Sequence, residues 1–210
     1  MKNNYIILDN FVDNKTQDII EDMLFDCNWI LRMDNTRDES KDKSRKILNP
    51  FEHDISPSIC SDLLQDFKFS NIYSSVIQKV CNEVGFQIQS VIRCMAGMQG
   101  VQVLRNKNKI CHIHTNRSEP HLVILYYVND CDGDTILYKE TTDEIPYIEY
   151  VSGKYKNFQV DKKITPKKGR ILIFNGNIYH ASSSPTKGIR SIITTDLSGN
   201  FNNHKKLQYV

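Results

Sequence analysis

One stretch carries most of the information about the fold of this chain: residues 114–129, which read HTNRSEPHLVILYYVN. It begins with polar residues and continues into an apolar run. Side chains of a strand point alternately to its two faces, so the two tyrosines of the run lie on opposite faces. Just before the run, a regular strand would place His112, His114 and Asn116 on one face. Two histidines spaced in this way form a geometry that a metal site can use.

Short strand-like runs continue outward from this stretch in both directions. Turn signals such as Asp132-Gly133 and Lys168-Gly169 separate them. The runs cover 87–93, 100–104, 110–116, 121–128, 135–138, 147–151, 170–174 and 189–195. About eight short strands at this spacing are typical of a β-sandwich or barrel.

The first part of the chain shows helical periodicity after a short predicted strand at Tyr5–Leu8. Asp13 is a candidate N-cap for a first helix. Helical spacing also predicts a second helix near Ile59 and a third that ends before Gly85, with Ser70 as its N-cap. The apolar positions are Ile19, Ile20, Met23 and Leu24; then Ile59, Leu63, Leu64 and Phe67; then Ile72, Val76, Ile77, Val80, Cys81 and Val84.

These patterns predict a single domain, 1–210, that is mostly β with N-terminal α-helices. The helical part, 1–85, is expected to pack on a β core over 86–200. The polar stretch 32–46 is interpreted as an exposed loop, because it has almost nothing to bury.

Composition excludes several classes of protein. The chain has 210 residues, with 27 Lys and Arg against 25 Asp and Glu, so its net charge of +2 (27 − 25) gives no clear signal of nucleic-acid binding. No apolar run approaches the ~20 residues that cross a bilayer, and residues 1–8 lack the features of a signal peptide. A cytoplasmic protein is therefore expected, and its six cysteines are interpreted as reduced thiols.

Several motifs together resemble the 2-oxoglutarate- and Fe(II)-dependent oxygenases. They are the stretch 114–129, the Asp-Gly-Asp-Thr of 132–135, PKKGRILIF at 166–174, and then His180 and Arg190. The closest similarity is to the prolyl-4-hydroxylase-like branch, especially small phage and viral members. The resemblance is strong over about 110–195, and the order and spacing of the motifs carry it.

The resemblance implies a double-stranded β-helix, or jelly roll, with flanking helices. It also implies an oxidoreductase that uses Fe(II), 2-oxoglutarate and dioxygen to hydroxylate an unidentified peptide or small molecule. Carried over, His114 and His180 are the iron ligands, Arg190 binds the distal carboxylate of 2-oxoglutarate, and Tyr127 donates a hydrogen bond to that carboxylate. A guanidinium suits this role because it is always charged and binds carboxylates through two parallel hydrogen bonds.

The chain departs from the family at Asn116, where the family has the carboxylate of its metal triad. Three explanations stay open. Asn116 is a natural or engineered ligand that leaves iron binding weak; or His112, His114 and His180 form a three-histidine site; or the chain is a non-catalytic binding protein that retains the 2-oxoglutarate pocket. The position of Pro120-His121 favours His114 and Asn116 as the ligand pair.

The remaining residues and classes receive simpler interpretations. His121 is expected to pack or hydrogen-bond at a strand start, and His53 and His204 to lie on the surface. A purely structural jelly roll, such as a coat protein, does not account for the convergence of His114, Tyr127, His180 and Arg190. The segments 32–46 and 139–163 are candidate substrate contacts with no readable specificity.

Overall fold

The computed structural model describes residues 4–32, 58–64, 66–101, 110, 113–117, 119–146 and 157–201. In chain order, the elements are β1 (Tyr5–Leu8), α1 (Asn14–Phe25), β2 (Ile30–Arg32), β3 (Ser58–Asp62), α2 (Phe67–Val84), β4 (Phe86–Gly100), β5 (Leu122–Tyr127), β6 (Thr135–Thr141), β7 (Val160–Ile164), β8 (Ile171–Asn175), β9 (Ile178–Ser182) and β10 (Ile189–Phe201). Neither helix is both long and apolar enough to cross a membrane.

The strands form two antiparallel sheets. The larger sheet has the order β1-β8-β5-β10-β4-β3-β2, and the smaller has the order β7-β6-β9. Since strands distant in the chain alternate within one sheet, the topology is that of a jelly roll. The predicted fold class, mostly β with N-terminal helices and a jelly-roll core, is confirmed.

Local sequence signals explain both helices. The Asp13 side chain accepts a hydrogen bond from the Thr16 N–H at 3.0 Å, which caps α1. In the same way, Asp66 accepts from the Phe69 N–H and caps α2. Helix α2 ends at Gly85, whose φ of 71° lies in the left-handed region that favours glycine.

The alternation along β5 separates two apolar layers. Leu122, Ile124 and Tyr126 belong to the core between the large sheet and the helices. Val123, Leu125 and Tyr127 belong to the core between the two sheets. The predicted placement of the two tyrosines on opposite faces is therefore confirmed, with Tyr127 on the inside.

Two helix predictions are wrong. Residues around Ile59 form β3, not a helix, because their backbone pairs with β4, for example Ile59 with Met98. Helix α2 begins one turn before the predicted cap at Ser70, because Asp66 supplies the capping carboxylate. The first error arises because strand pairing overrides a local helical pattern, and the second because two local capping residues compete.

The strand predictions need two corrections, and some of them fall outside the described residues. Strands β2, β7 and β9 have no predicted counterpart, and β9 carries His180. The expected regular strand at 110–116 is, among its described residues, reduced to two bridges, Ile110 with Ser183 and His114 with His180. The predicted strand at 147–151 and nearly all of the loop at 32–46 lie outside the described residues, as does most of 100–104.

The long strands β4 and β10 form the centre of the large sheet. Antiparallel pairing places Asp196 of β10 opposite Arg93 of β4 and opposite Val123 of β5. A register shift, typical of a β-bulge, follows directly between Asp196 and Leu197. Bulges often lie beside functional sites because they re-aim side chains, and the interior face of β10 does line the cavity described next.

Candidate active site

A cavity of about 110 Å³ lies between the two sheets. Residues from β3, β4, β5, β6, β8, β9 and β10 line it together with the bridging segment 113–117. Its polar lining residues include His114, Asn116, Thr135, His180, Arg190 and Arg93. Four of the five residues assigned from the sequence therefore come together in one cavity; the fifth, Tyr127, lies behind Thr135 of β6.

The two histidines are held together by the backbone. His114 and His180 exchange N–H to C=O hydrogen bonds of 2.9 Å in both directions. This bridge places their rings with centroids 4.5 Å apart. Phe174 packs against the His180 ring at 5.0 Å, so one side of the pair is apolar.

His180 is poised as a neutral base. Its Nδ1 donates to the Ile178 carbonyl oxygen at 2.9 Å, which leaves Nε2 with a lone pair. Burial lowers the pKa of His180 to about 4, since a buried imidazolium loses its hydration. At neutral pH the ring is therefore uncharged, the form that binds a metal.

Asn116 faces this lone pair with an oxygen. Its Oδ1 lies 3.2 Å from His180 Nε2, and its Nδ2 donates to Asp196 Oδ1 at 2.9 Å. Two acceptors that face each other repel unless a cation or proton lies between them. Imidazole nitrogens and amide oxygens are both metal ligands in proteins, so the donor set of His114, Asn116 and His180 fits a divalent cation.

Position 116, where the oxygenase family has a carboxylate ligand, is occupied by an asparagine. Among the described residues, no three His, Cys, Asp or Glu side chains are arranged to hold a metal ion. The amide of Asn116 is the third donor, and it is neutral. A negative charge at this end is supplied by Asp196, which is 0% exposed and lies 2.9 Å from Arg93 Nε and 3.7 Å from Arg117 Nε.

The other end of the cavity holds a buried guanidinium. Arg190 is 4% exposed. Its Nε donates to the Gly133 carbonyl oxygen at 2.9 Å and its Nη2 to Thr135 Oγ1 at 2.7 Å. None of the described carboxylates lies within salt-bridge distance of it. A buried charge without a partner is costly, so this end of the cavity favours an anionic ligand.

Tyr127 reaches this end through a neighbour. Its hydroxyl donates to Thr135 Oγ1 at 2.7 Å, and its ring lies 6.0 Å from the centre of the Arg190 guanidinium. Burial raises the pKa of Tyr127 to about 12, so it stays protonated and remains a donor. Thr135 accepts from both Tyr127 and Arg190, which leaves its own hydroxyl proton free to point elsewhere.

Gly133 explains the Asp-Gly-Asp turn. A Cβ there would lie 2.8 Å from the Ser183 carbonyl oxygen and 3.2 Å from Arg190 Cδ. The missing side chain lets the backbone approach Arg190 closely enough to accept its hydrogen bond. Asp132 accepts from the Thr186 backbone and hydroxyl, which ties the turn to the loop before β10.

His121 has the packing role that was expected. It is fully buried, and its Nδ1 donates to the Glu119 carbonyl oxygen at 2.7 Å. A Cβ on Gly176 would lie only 2.1 Å from the His121 ring, so the glycine makes room for it. His112, His53 and His204 lie outside the described residues.

Three site residues were missed by the sequence reasoning: Thr135, Asp196 and Arg93. Thr135 stands in the quoted Asp-Gly-Asp-Thr motif, but a lone threonine in a strand carries no signal of its role. Asp196 shares the strand face of Arg190 at an even spacing, which is a signal that could have been used. Arg93 had no signal, because its importance depends on pairing with β10.

Solved structures share this fold. A prolyl hydroxylase from Trichoplax adhaerens, in complex with a hypoxia inducible factor oxygen degradation domain peptide fragment, matches with a TM-score of 0.56 and 16% identity over 93% of this chain and 83% of that chain. HygX from Streptomyces hygroscopicus, with nickel and 2-oxoglutarate bound, matches with a TM-score of 0.57 and 10% identity over 94% and 84%. A 2OG-Fe(II) oxygenase family oxidoreductase from Burkholderia pseudomallei matches with a TM-score of 0.55 and 8% identity over 96% and 89%.

No protein-family profile matches the chain. No curated protein matches it at the level of sequence either. At such low identities the likeness establishes the fold. The structural neighbours of this chain are 2-oxoglutarate- and Fe(II)-dependent oxygenases, prolyl hydroxylases among them.

Proposed function

We propose that this chain is a 2-oxoglutarate- and Fe(II)-dependent dioxygenase that hydroxylates a peptide or a small molecule. One observation carries the proposal: a single cavity has at one end a buried guanidinium that no described carboxylate pairs with, and at the other end three metal-binding donors. The first suits the distal carboxylate of 2-oxoglutarate, and the second suits Fe(II). The nickel and 2-oxoglutarate in the HygX structure support this pairing.

The residues at the two ends of the cavity would bind different groups. His114 and His180 would hold the metal through their imidazole nitrogens, and Asn116 through its amide oxygen. Arg190 would bind the distal carboxylate of 2-oxoglutarate. The Thr135 hydroxyl, which already accepts from Arg190 and Tyr127, would donate its own proton to the same carboxylate.

When bound, iron and 2-oxoglutarate supply an oxidative reaction in which dioxygen converts 2-oxoglutarate to succinate and carbon dioxide and places one oxygen atom in a C–H bond of the substrate. The protein contributes orientation and a dry environment. Val123, Leu125 and Phe174 form the apolar wall between the two ends. This wall excludes water and strengthens the electrostatic attraction between Arg190 and a carboxylate.

We further assign the chain to the prolyl-4-hydroxylase-like branch, in particular to its small phage and viral members, and expect it to act in the cytoplasm. The Trichoplax adhaerens prolyl hydroxylase among the structural neighbours supports the branch. Of the segments expected to contact substrate, 33–46 and 147–156 lie outside the described residues.

Binding of 2-oxoglutarate tests the proposal. Titration calorimetry without oxygen, on the Mn(II)-loaded protein, should show 2-oxoglutarate binding at one site. Pyruvate is the matched control, because it has the 2-oxo acid group but lacks the distal carboxylate that Arg190 would bind. It should bind much more weakly. Absence of 2-oxoglutarate binding, or equal affinity for the two acids, would contradict the proposal.

Turnover separates the leading proposal from a second candidate. The neutral donor Asn116 favours a binding protein that retains the pocket without chemistry. Succinate release from 2-oxoglutarate with Fe(II) and dioxygen, dependent on His180, supports the dioxygenase. Binding of 2-oxoglutarate by the unchanged chain without release of succinate would favour the binding protein.

A further inference from the structure

Asp196 is a buried carboxylate to which the proposed reaction gives no role. It lies in the middle of the large sheet, on the interior face of β10, and is 0% exposed. An ionised carboxylate in such a place needs partners. Its partners are all at the metal end of the cavity.

Three side chains surround this carboxylate. Asn116 Nδ2 donates to one of its oxygens at 2.9 Å, although the two residues are 80 positions apart in the chain. Arg93 Nε lies 2.9 Å from the other oxygen, and Arg117 Nε 3.7 Å from it. Arg93 is its direct cross-strand neighbour on β4, so the sheet register itself holds the pair together.

We propose that Asp196 is a positioning residue for the metal site: its hydrogen bond holds the Asn116 amide so that Oδ1 points at the metal, and its charge offsets that of the cation. Position 116 has no carboxylate, but the Asp196 carboxylate lies directly behind it, joined to the Asn116 amide by a hydrogen bond. This inference rests on the proposed function, because it assumes that His114, Asn116 and His180 hold a metal.

The geometry leaves Asn116 one orientation. Its N–H group must face the carboxylate, because a carboxylate only accepts hydrogen bonds. The oxygen therefore faces His180 Nε2, at 3.2 Å. A hydrogen bond from an amide to a charged acceptor also draws electron density toward the amide oxygen, which improves it as a ligand. Groups that orient metal ligands in this way commonly change metal affinity by about 10- to 100-fold.

A carboxylate introduced at position 116 alone is not expected to strengthen metal binding. Replacing Asn116 by Asp alone restores the usual ligand, but it places a second carboxylate against Asp196 with no hydrogen atom between them. The double variant, Asn116→Asp with Asp196→Asn, exchanges the two groups and keeps one amide donor facing one carboxylate. The double variant should therefore bind the metal tightly, whereas each single variant should bind it weakly.

Mn(II) binding to the full chain tests the proposal, measured from the spin-resonance signal of free Mn(II). The variants are Asp196→Asn, Asn116→Asp and the exchange variant, each checked by thermal unfolding. Glu140→Gln is the matched control: Glu140 is also a buried carboxylate, 8% exposed, but it accepts from the Gln159 N–H on the smaller sheet. Cobalt(II) absorption reports the ligand geometry of each variant.

We expect Asp196→Asn to weaken Mn(II) binding by about 10- to 100-fold, with Glu140→Gln unchanged. The exchange variant should bind at least as tightly as the unchanged chain and restore its cobalt spectrum. Unchanged affinity in Asp196→Asn overturns the inference and leaves the proposed function intact. If Asp196→Asn does not fold, the exchange variant decides, and its failure to fold or to bind overturns the inference. No Mn(II) binding by the unchanged chain overturns the proposed function together with the inference.

Discussion

Two buried charges on β10 behave in opposite ways. Arg190 and Asp196 both face the interior, and both are less than 5% exposed. Asp196 has guanidinium and amide partners inside the protein. Arg190 has only neutral acceptors among the described residues. The comparison teaches that a charge paired with an opposite charge inside the protein holds the shape of a site, whereas a buried charge without such a partner favours a ligand of opposite charge.

The largest expected effect is on 2-oxoglutarate binding and comes from removing the charge of Arg190. Arg190→Met should weaken 2-oxoglutarate binding by about 2 to 5 kcal/mol, because the distal carboxylate would then be buried without its partner. It should leave the free energy of unfolding of the ligand-free protein unchanged or higher, because a costly buried charge is lost. Calorimetry and chemical denaturation measure the two quantities.

Asp196→Asn supplies the other half of this comparison. It should lower the free energy of unfolding, because Arg93 would lose its buried partner. If Arg190→Met were the more destabilising of the two, the contrast between the charges would be broken. Arg170→Met, at an ion pair outside the cavity, should not change 2-oxoglutarate affinity.

A smaller effect should separate Thr135 from Tyr127. Thr135→Val removes the acceptor shared by Arg190 and Tyr127 and the hydroxyl that lines the cavity. It should weaken 2-oxoglutarate binding by about 1 to 2 kcal/mol. Tyr127→Phe removes only a hydrogen bond behind Thr135, so its effect should be about half as large. Equal effects, or a larger one for Tyr127→Phe, would place the tyrosine hydroxyl directly on the ligand.

The smallest effect is expected at an exposed ion pair. Asp9 accepts from Arg170 Nε at 2.6 Å and from Nη2 at 2.8 Å, joining β1 to β8. The hydrogen bond from Arg170 holds the pKa of Asp9 below its usual value. A depressed carboxyl pKa stabilises the fold above the unfolded pKa, and this contribution is lost as pH falls through the folded pKa.

Asp9→Asn should therefore cost less than about 1 kcal/mol at neutral pH, because solvent screens the pair. The difference from the unchanged chain should disappear in acid. Denaturation of both proteins across this pH range provides the measurement. A cost that persisted unchanged at low pH would mean that packing, not charge, stabilises this contact.

Much of the fold could be predicted because it depends on local patterns. The caps at Asp13 and Gly85 and the alternation through Tyr126 and Tyr127 require only neighbours in the chain. Strand β3 could not be predicted in this way: the spacing of Ile59 and Leu63 is compatible with a helix, and only pairing with β4 makes the segment extended.

The site, like the fold, was predicted only in part. The resemblance to the oxygenases, which rests on motifs that include His114, His180 and Arg190, implied a metal end and an anion end. Tyr127 was assigned to the distal carboxylate, but Thr135 lines the cavity in front of it. That difference depends on how β5 and β6 lie across the cavity, which no local pattern specifies.

By itself, then, the sequence determined strands β1, β5, β6 and β8, the cap of α1 at Asp13 and the end of α2 at Gly85, because these depend on side-chain chemistry and short-range periodicity. Only the tertiary structure decided that Asp196 meets Asn116, 80 residues away, and that Arg190 is buried without a carboxylate among the described residues. Such contacts follow from the register between strands far apart in the chain. A shift of one residue there would turn Asp196 to the other face of the sheet.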